Sequence, residues 1–245
     1  RDSLLHYRHA CDTPRELTHA MVIGGAVHVA VLEPDHFDAE FSVFDGPSRR
    51  GKEWDAFAAR CAGRIILKDA EAAKCWQIAA AVRSHPVAAA LLSRCTQFEV
   101  SIVWTDGLTG LRCKGRADGV GPAVLVDLKT TRTIDSRLFC QQQNALASHV
   151  QSAFYREGIL ANTGVAPQPF LIAVENTAPY DVGVFEVGYD ALVAARDELR
   201  ELLAKVKQGR ETGIWPGRYA EVQELVLPRW AFPEDDDLGL TMEDG

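Results

Sequence analysis

Two short stretches hold residues whose types and spacing could do chemistry. They are Gly115-Arg116-Ala117-Asp118 and Val124-Leu125-Val126-Asp127-Leu128-Lys129-Thr130-Thr131. Asp118 closes one extended run, and Asp127 and Lys129 sit at the end of the next. The spacing leaves room for one tight turn at Gly119–Pro122, so the carboxylates can converge from adjacent strands. Converging carboxylates repel unless a cation lies between them, and hard oxygen ligands suit Mg²⁺ or Mn²⁺. Asp127 and Lys129 are two apart and share one strand face. Leu128 points the other way, but its backbone carbonyl can reach the cation. The lysine would stand beside a polarised water, where it could orient that water, help deprotonate it or stabilise charge on a phosphate. An isolated Asp-x-Lys is usually a surface ion pair. The Val-Leu-Val run argues instead for a buried central strand, at whose end charged groups need a partner. The chemistry indicated is hydrolysis of a phosphodiester.

The elements that would position these groups follow from pattern. Thr13-Pro14-Arg15-Glu16 reads as a helix start, with Thr13 as N-cap and Glu16 completing a capping box, continuing through Ala20–Leu32 until Pro34. Gly24 and Gly25 inside it cost about 1 kcal/mol each relative to alanine, which suggests close approach of another element. Residues 36–68 are mixed: Phe41–Phe44 is extended and Arg49–Lys52 a basic loop. Ala70–Arg83 and Pro86–Arg94 are helical. Period-two patterning then gives strands at Phe98–Trp104, Leu111–Ala117 and Ala123–Leu128, joined by tight turns into an antiparallel meander. In the first of these, Phe98, Val100 and Ile102 should share one face and Glu99, Ser101 and Val103 the other. Ser136–Ala161 is helical, in one or two pieces. Phe170–Glu175 and Val182–Val187 are further strands, and Tyr189–Gln208 is an amphipathic helix. Trp215-Pro216 and Leu227-Pro228-Arg229-Trp230 read as loop anchors. The fold class expected is α/β (α+β), a central mixed sheet flanked by helices.

Bulk properties set the bounds. The chain has 245 residues, 47% of them hydrophobic and 24% charged, enough for one large domain with a real core. No apolar run approaches the roughly 20 residues of a membrane span, and no leader is visible. The opening at Arg1 fits a piece of a longer protein. The six cysteines form no CxxC pair and none follows Cys140, which argues against a zinc ribbon or an iron–sulfur cluster. The formal net charge is −8. The segment 234–245 carries six acids and no base, leaving 28 acidic against 26 basic residues in the body. A near-neutral body can still present a local basic groove. We expect a domain over 1–233 and a disordered acidic tail over 234–245.

Several motifs in order carry a family resemblance. Gly24-Gly25-Ala26-Val27-His28, leading to Leu32-Glu33-Pro34, resembles a GxxxH…LEP helix. Gly-Arg-x-Asp followed by Asp-Leu-Lys-Thr-Thr resembles the PD-(D/E)xK nuclease core. His149-Val150-Gln151-Ser152-Ala153-Phe154-Tyr155 resembles the QxxxY segment of RecB-type nucleases. The whole, from about Gly24 to Trp230, is similar to the nuclease domain of the exonuclease VIII (RecE) family. That resemblance implies a restriction-endonuclease-like core with His28, Asp118, Asp127 and the Leu128 carbonyl as metal ligands. It implies Lys129 as the catalytic amine, with Gln151 and Tyr155 touching the substrate phosphate or orienting Lys129. Glu99, by its position relative to the two aspartates, is a candidate for a second-metal or water-holding carboxylate. Arg116, Arg132, Lys114 and Arg137 are candidate DNA contacts, Arg116 and Arg132 foremost because they flank the metal motifs. Arg49, Arg50 and Lys52 could equally be a solvated loop.

The resemblance further implies an activity: a Mg²⁺-dependent (or Mn²⁺-dependent) 5′→3′ exonuclease on double-stranded DNA, producing 3′ single-stranded overhangs for recombination by strand annealing. It implies a homo-oligomeric ring, a tetramer in the family, a RecT-type annealing partner, no nucleotide cofactor, and a bacterial or phage-encoded cytoplasmic setting. Two alternatives remain at this point. One is an endonuclease or single-strand nuclease of the same fold, which would use the same chemistry. The other is a non-catalytic DNA-binding or assembly module. The joint presence of His28, Asp118, Asp127, Lys129, Gln151 and Tyr155 argues against the second.

Overall fold

The computed structural model describes residues 3–14, 16–61, 63–228 and 231. The order of elements is α1 (Leu4–Asp12), α2 (His19–Leu32), a 3₁₀ turn (Pro34–His36), α3 (Phe37–Glu40), β1 (Phe41–Phe44), α4 (Lys52–Arg60), β2 (Ile65–Lys68), α5 (Asp69–Ser84) and α6 (Pro86–Ser93). There follow β3 (Gln97–Thr105), β4 (Arg112–Val120), β5 (Val124–Thr131), α7 (Ser136–Ala145), α8 (Ser148–Thr163), β6 (Gln168–Glu175), β7 (Val182–Glu186) and α9 (Tyr189–Thr212). Among the described residues no helix is long and apolar enough to cross a membrane.

The main sheet has the order β3-β4-β5-β6-β7. Its first three strands form the expected antiparallel meander, while β5 and β6 run parallel. Parallel neighbours need a long crossover, and α7 and α8 provide it. A separate parallel pair, β1 and β2, is joined through α4. The β5 alternation divides the core. Val124, Val126 and Leu128 enter a cluster with α2, α5 and α6 on one face of the sheet. Leu125 enters a second cluster with α8 and α9 on the other. Val124, Val126 and Leu128 are each at most 1% exposed, so each contributes about 1.5–3 kcal/mol of burial. That fixes the register of the strand carrying Asp127 and Lys129.

Several expectations change. The helix carrying His28 begins at His19, not at Thr13. Thr18 is its N-cap, with its hydroxyl accepting from the Met21 N–H at 3.3 Å. Thr13 instead ends α1, its N–H bonded to the His9 carbonyl, and Pro14 follows where the preceding helix has stopped. The residues α1, α4 and β2 occupy had no assigned element, apart from Lys52, the last residue of the expected 49–52 loop. Gly24 and Gly25 do not mark a close approach. A Cβ at Gly25 would meet nothing, and one at Gly24 would make ordinary contact with Thr130. The tight glycines are elsewhere: a Cβ on Gly115 would lie 2.5 Å from the Tyr155 ring, and one on Gly158 2.7 Å from Trp104. Asp118 does not close its strand, because β4 continues through Gly119 and Val120 and turns only at Gly121. Trp215 is an anchor as expected, packed on Tyr7 and over Gly209. Leu227 is not, being 47% exposed. Arg15, Arg229, Trp230 and the acidic tail lie outside the described residues.

Candidate active site

Strand register builds the site. Phe98 pairs with Gly119 and Val100 with Ala117, which sets Glu99 opposite Asp118. Gly119 pairs with Val126 and Val120 with Leu125, which sets Asp118 opposite Asp127. Three acids therefore form a row across β3, β4 and β5. The row is also where pairing lapses: β4 and β5 are paired only at those two positions, and the Glu99–Asp118 pair is missing from its ladder. Asp118 uses the opening to accept a hydrogen bond from the backbone N–H of Leu128 at 2.7 Å. The N–H and C=O of one strand residue point to the same edge, so the Leu128 carbonyl faces the same opening.

Glu99 has φ +51°, a left-handed backbone that a non-glycine residue rarely adopts. It switches the alternation of β3. Phe98 packs with the α2 and α5 cluster, whereas Val100, Ile102 and Trp104 pack with α8 and α9. The expectation that Phe98 shares a face with Val100 and Ile102 is therefore incorrect. The switch leaves Glu99 13% exposed, within reach of α2.

His28, on the third turn of α2, completes the cluster. Its Nδ1 lies 3.5 Å from Asp118 Oδ2 and 3.8 Å from Glu99 Oε1. One ligand atom each from His28, Glu99 and Asp118 falls within a 4.8 Å span. Asp127 is adjacent but turned toward Lys129, whose Nζ lies 2.7 Å from its Oδ2. That approach is off the hydrogen-bonding direction, and the buried Oδ2 has no hydrogen-bond donor. Lys129 donates to Gln151 Oε1 at 3.1 Å, and Gln151 Nε2 donates to the Tyr155 hydroxyl at 3.2 Å. Gln151 and Tyr155 are one turn apart on α8, so they share a helix face. Gly115 on β4 is what lets the Tyr155 ring lie against the sheet. The sequence reading missed that contact, although a glycine inside a strand pattern is the usual mark of one.

Of the basic candidates, Arg116 is engaged, its Nε 2.6 Å from Glu99 Oε2, with a side chain still 62% exposed. Arg132, Lys114, Arg137, Arg50 and Lys52 are exposed. Arg49 is held by Glu71 at 2.5 Å and by the Ile66 carbonyl, so it secures its loop. His149 approaches Glu198 of α9 at 3.8 Å, away from the acid row.

A family model for the PDDEXK-like domain of unknown function (DUF3799) matches residues 5–226. The chain belongs to this PDDEXK-like family. The crystal structure of a candidate exonuclease from Eubacterium rectale superposes with a TM-score of 0.58, covering 88% of this chain and 79% of that one at 17% identity. At that identity the likeness is one of fold. The structure of SSO0001 aligns over 43% of this chain and 49% of its own, at 17% identity and a TM-score of 0.29, and carries no weight. No curated protein matches the chain.

The electrostatics of this PDDEXK-like site suit a cation. Burial pushes the Asp118 carboxyl up to about 6, with the Asp127 and Glu99 charges adding to the effect and His28 opposing it. Burial alone would lower His28, but hydrogen bonding to Glu99 and the surrounding carboxylates outweigh it and hold the imidazole above its usual range. The His28 contact lowers Glu99, against its burial, and Arg116 adds to the lowering. Two carboxylates and an imidazole grouped there, with the Asp127 carboxylate adjacent, are a candidate donor set for a divalent ion. The grouping of His28, Glu99 and Asp118, with one ligand atom of each inside a 4.8 Å span, is what fits such an ion most plainly.

Proposed function

We propose that this PDDEXK-like domain is a divalent-cation-dependent 5′→3′ exonuclease on duplex DNA, leaving 3′ overhangs that feed recombination by strand annealing. The single observation carrying the hydrolytic part is the row Glu99–Asp118–Asp127 backed by the chain Lys129–Gln151–Tyr155. His28, Glu99, Asp118, Asp127 and the Leu128 carbonyl would hold Mg²⁺ or Mn²⁺. When bound, the ion supplies Lewis-acid polarisation of the phosphodiester and makes water more acidic.

The protein's own residues do the rest. Asp127 and Gln151 fix the Lys129 ammonium from two sides, so its charge is in place before the substrate arrives. It orients the attacking water and stabilises the negative charge that develops on the phosphate oxygens. The water oxygen bonds to phosphorus as the bond to the leaving 3′-oxygen breaks, releasing a mononucleotide. Tyr155 steadies Gln151 and offers its hydroxyl toward the substrate side. Arg116, Arg132, Lys114 and Arg137 supply phosphate contacts without base readout. Exonuclease action, its direction, a ring of identical copies and a RecT-type partner rest on the motif resemblance to the exonuclease VIII family.

The test compares linear duplex labelled at the 5′ or at the 3′ end with relaxed closed circular duplex and single strands, each with Mg²⁺. Early release of the 5′ label from linear duplex, with circles intact, supports the reading. Cutting of closed circles would establish an endonuclease in its place.

A further inference from the structure

The outward face of the β3–β4 hairpin carries a row of cations that leads to the acid row. Antiparallel register sets Ser101 opposite Arg116, Val103 opposite Lys114 and Thr105 opposite Arg112. Alternation sends these six side chains to one face, and all six residues are exposed. Ile102, Trp104, Cys113 and Ala117, which alternate with them, are buried with α8 and α9. The exposed face therefore holds Arg112, Lys114 and Arg116 at successive alternate positions, about 6.8 Å apart along the strand. The residues beside them on β3 carry no charge. Glu99 meets Arg116, but among the described residues no carboxylate pairs with Arg112 or Lys114. Like charges aligned in this way repel one another, and an anionic partner removes that cost.

The row has a direction. Asp118 is the next alternate position of β4 after Arg116, and β4 is paired with β5 only at Gly119 and Val120. The hairpin thus projects from the acid row with its cations in line. A polyanion with regularly spaced charges fits such a line. Successive phosphates of an extended DNA strand stand about as far apart as alternate residues of a β-strand. Val103, 46% exposed beside Lys114, offers an apolar surface to the sugars. We propose that Arg116, Lys114 and Arg112 form a track for three successive phosphates of the strand being hydrolysed, on the 3′ side of the scissile bond. The choice of side rests on the reading of the domain as a 5′→3′ exonuclease: a mononucleotide released from the 5′ end leaves phosphates to hold only on the 3′ side. The track reads charge and spacing, not bases. Arg112 is its outermost member.

The test measures binding of the full chain to a short duplex by fluorescence anisotropy over a salt series, with Ca²⁺ in place of Mg²⁺ so that the DNA stays intact. Arg112→Gln with Lys114→Gln should weaken binding and reduce the slope of log affinity against log salt by about 1.4–1.8, the counterions of two phosphates. Arg60→Gln with Arg64→Gln, exposed and away from the row, should leave the slope unchanged. Counting the scissile linkage as the first from the 5′ end, Lys114 and Arg112 face the third and fourth. Neutral methylphosphonates at those two linkages should weaken binding to the wild type and cost the Arg112/Lys114 variant nothing more. All variants are first shown folded by their unfolding transitions. An unchanged slope in the Arg112/Lys114 variant, an equal change in the Arg60/Arg64 variant, or additive losses from variant and methylphosphonates would overturn the track and leave the nuclease reading standing. Failure of the wild type to bind DNA at all would overturn both.

Discussion

At the scale of residues, the proposed hydrolysis rests on the row of acids and on the chain that fixes Lys129. Asp127→Ala or Lys129→Ala should lower nucleotide release by at least about 100-fold, the scale of losing a charged group that acts in the transition state. Gln151→Ala should cost less, because Asp127 still holds the ammonium. Steady-state release from linear duplex reads both. Asp118 also gives a pH dependence with a definite sign. Its carboxyl is pushed up to about 6, and protons compete with a cation for it. Mn²⁺ affinity measured by calorimetry should therefore rise as pH passes upward through about 6, and Asp118→Asn should flatten that rise. Away from the site, Asp106 is 4% exposed. It is opposed by burial but held below the usual carboxylate range by Thr109 and by Arg200 at 2.5 Å. Its folded value is depressed, so its contribution to stability is present above the unfolded value of about 3.9 and is lost as pH falls through the folded value. Asp106→Asn should lower stability at neutral pH by about 2 kcal/mol and remove part of the acid-side slope in thermal unfolding.

At the scale of elements, β5 was plain in the sequence because its two halves have different demands. Val124-Leu125-Val126 can only be a buried strand, and its end must then present Asp127 and Lys129 together. With 136–161 read as helical, Gln151 and Tyr155, one turn apart, could be placed on one face, as α8 has them. The break in β3 was not legible. Phe98 through Trp104 alternates well, and nothing local announces that Glu99 will take a left-handed backbone and shift the faces. That conformation falls where the β3–β4 ladder skips the Glu99–Asp118 pair, and the skipped pair involves a partner strand that local pattern does not show. The start of α2 was misplaced because Thr13-Pro14 suits a helix start, yet Thr13 ends α1 and Thr18 provides the cap. The glycines teach the same lesson: Gly24 and Gly25 drew notice in mid-helix, while the close contacts lie at Gly115 and Gly158. Gly158→Ala would place a Cβ 2.7 Å from the Trp104 ring. It should destabilise the α8–β3 packing by about 1–3 kcal/mol, whereas Gly25→Ala should be neutral or slightly stabilising. Denaturant unfolding of the two variants separates them.

At the scale of the whole molecule, the sheet gathers distant parts of the chain at one opening. His28 arrives from ninety positions before Asp118, and Gln151 from within the β5–β6 crossover. Neither could be placed from spacing alone; both needed the motif order to link them and the fold to bring them within reach. Net charge was a poor guide at this scale, because acids that crowd one row count the same as acids in solvent. A ligand that binds only the folded state raises its stability by mass action. Mn²⁺ at a hundredfold excess over its dissociation constant should add about 2.7 kcal/mol, and Asp118→Asn should abolish most of that gain in a thermal shift.

The most direct test of a hydrolytic site at the acid row is release of labelled nucleotide from linear duplex DNA. It compares the wild-type chain with Lys129→Ala, both shown folded by their unfolding transitions, with Mg²⁺ and with chelator. The account predicts release by the wild type with Mg²⁺, none with chelator, and a loss of at least about 100-fold in the variant. Undiminished release by Lys129→Ala, or no release by the folded wild type with Mg²⁺ or Mn²⁺, would contradict it.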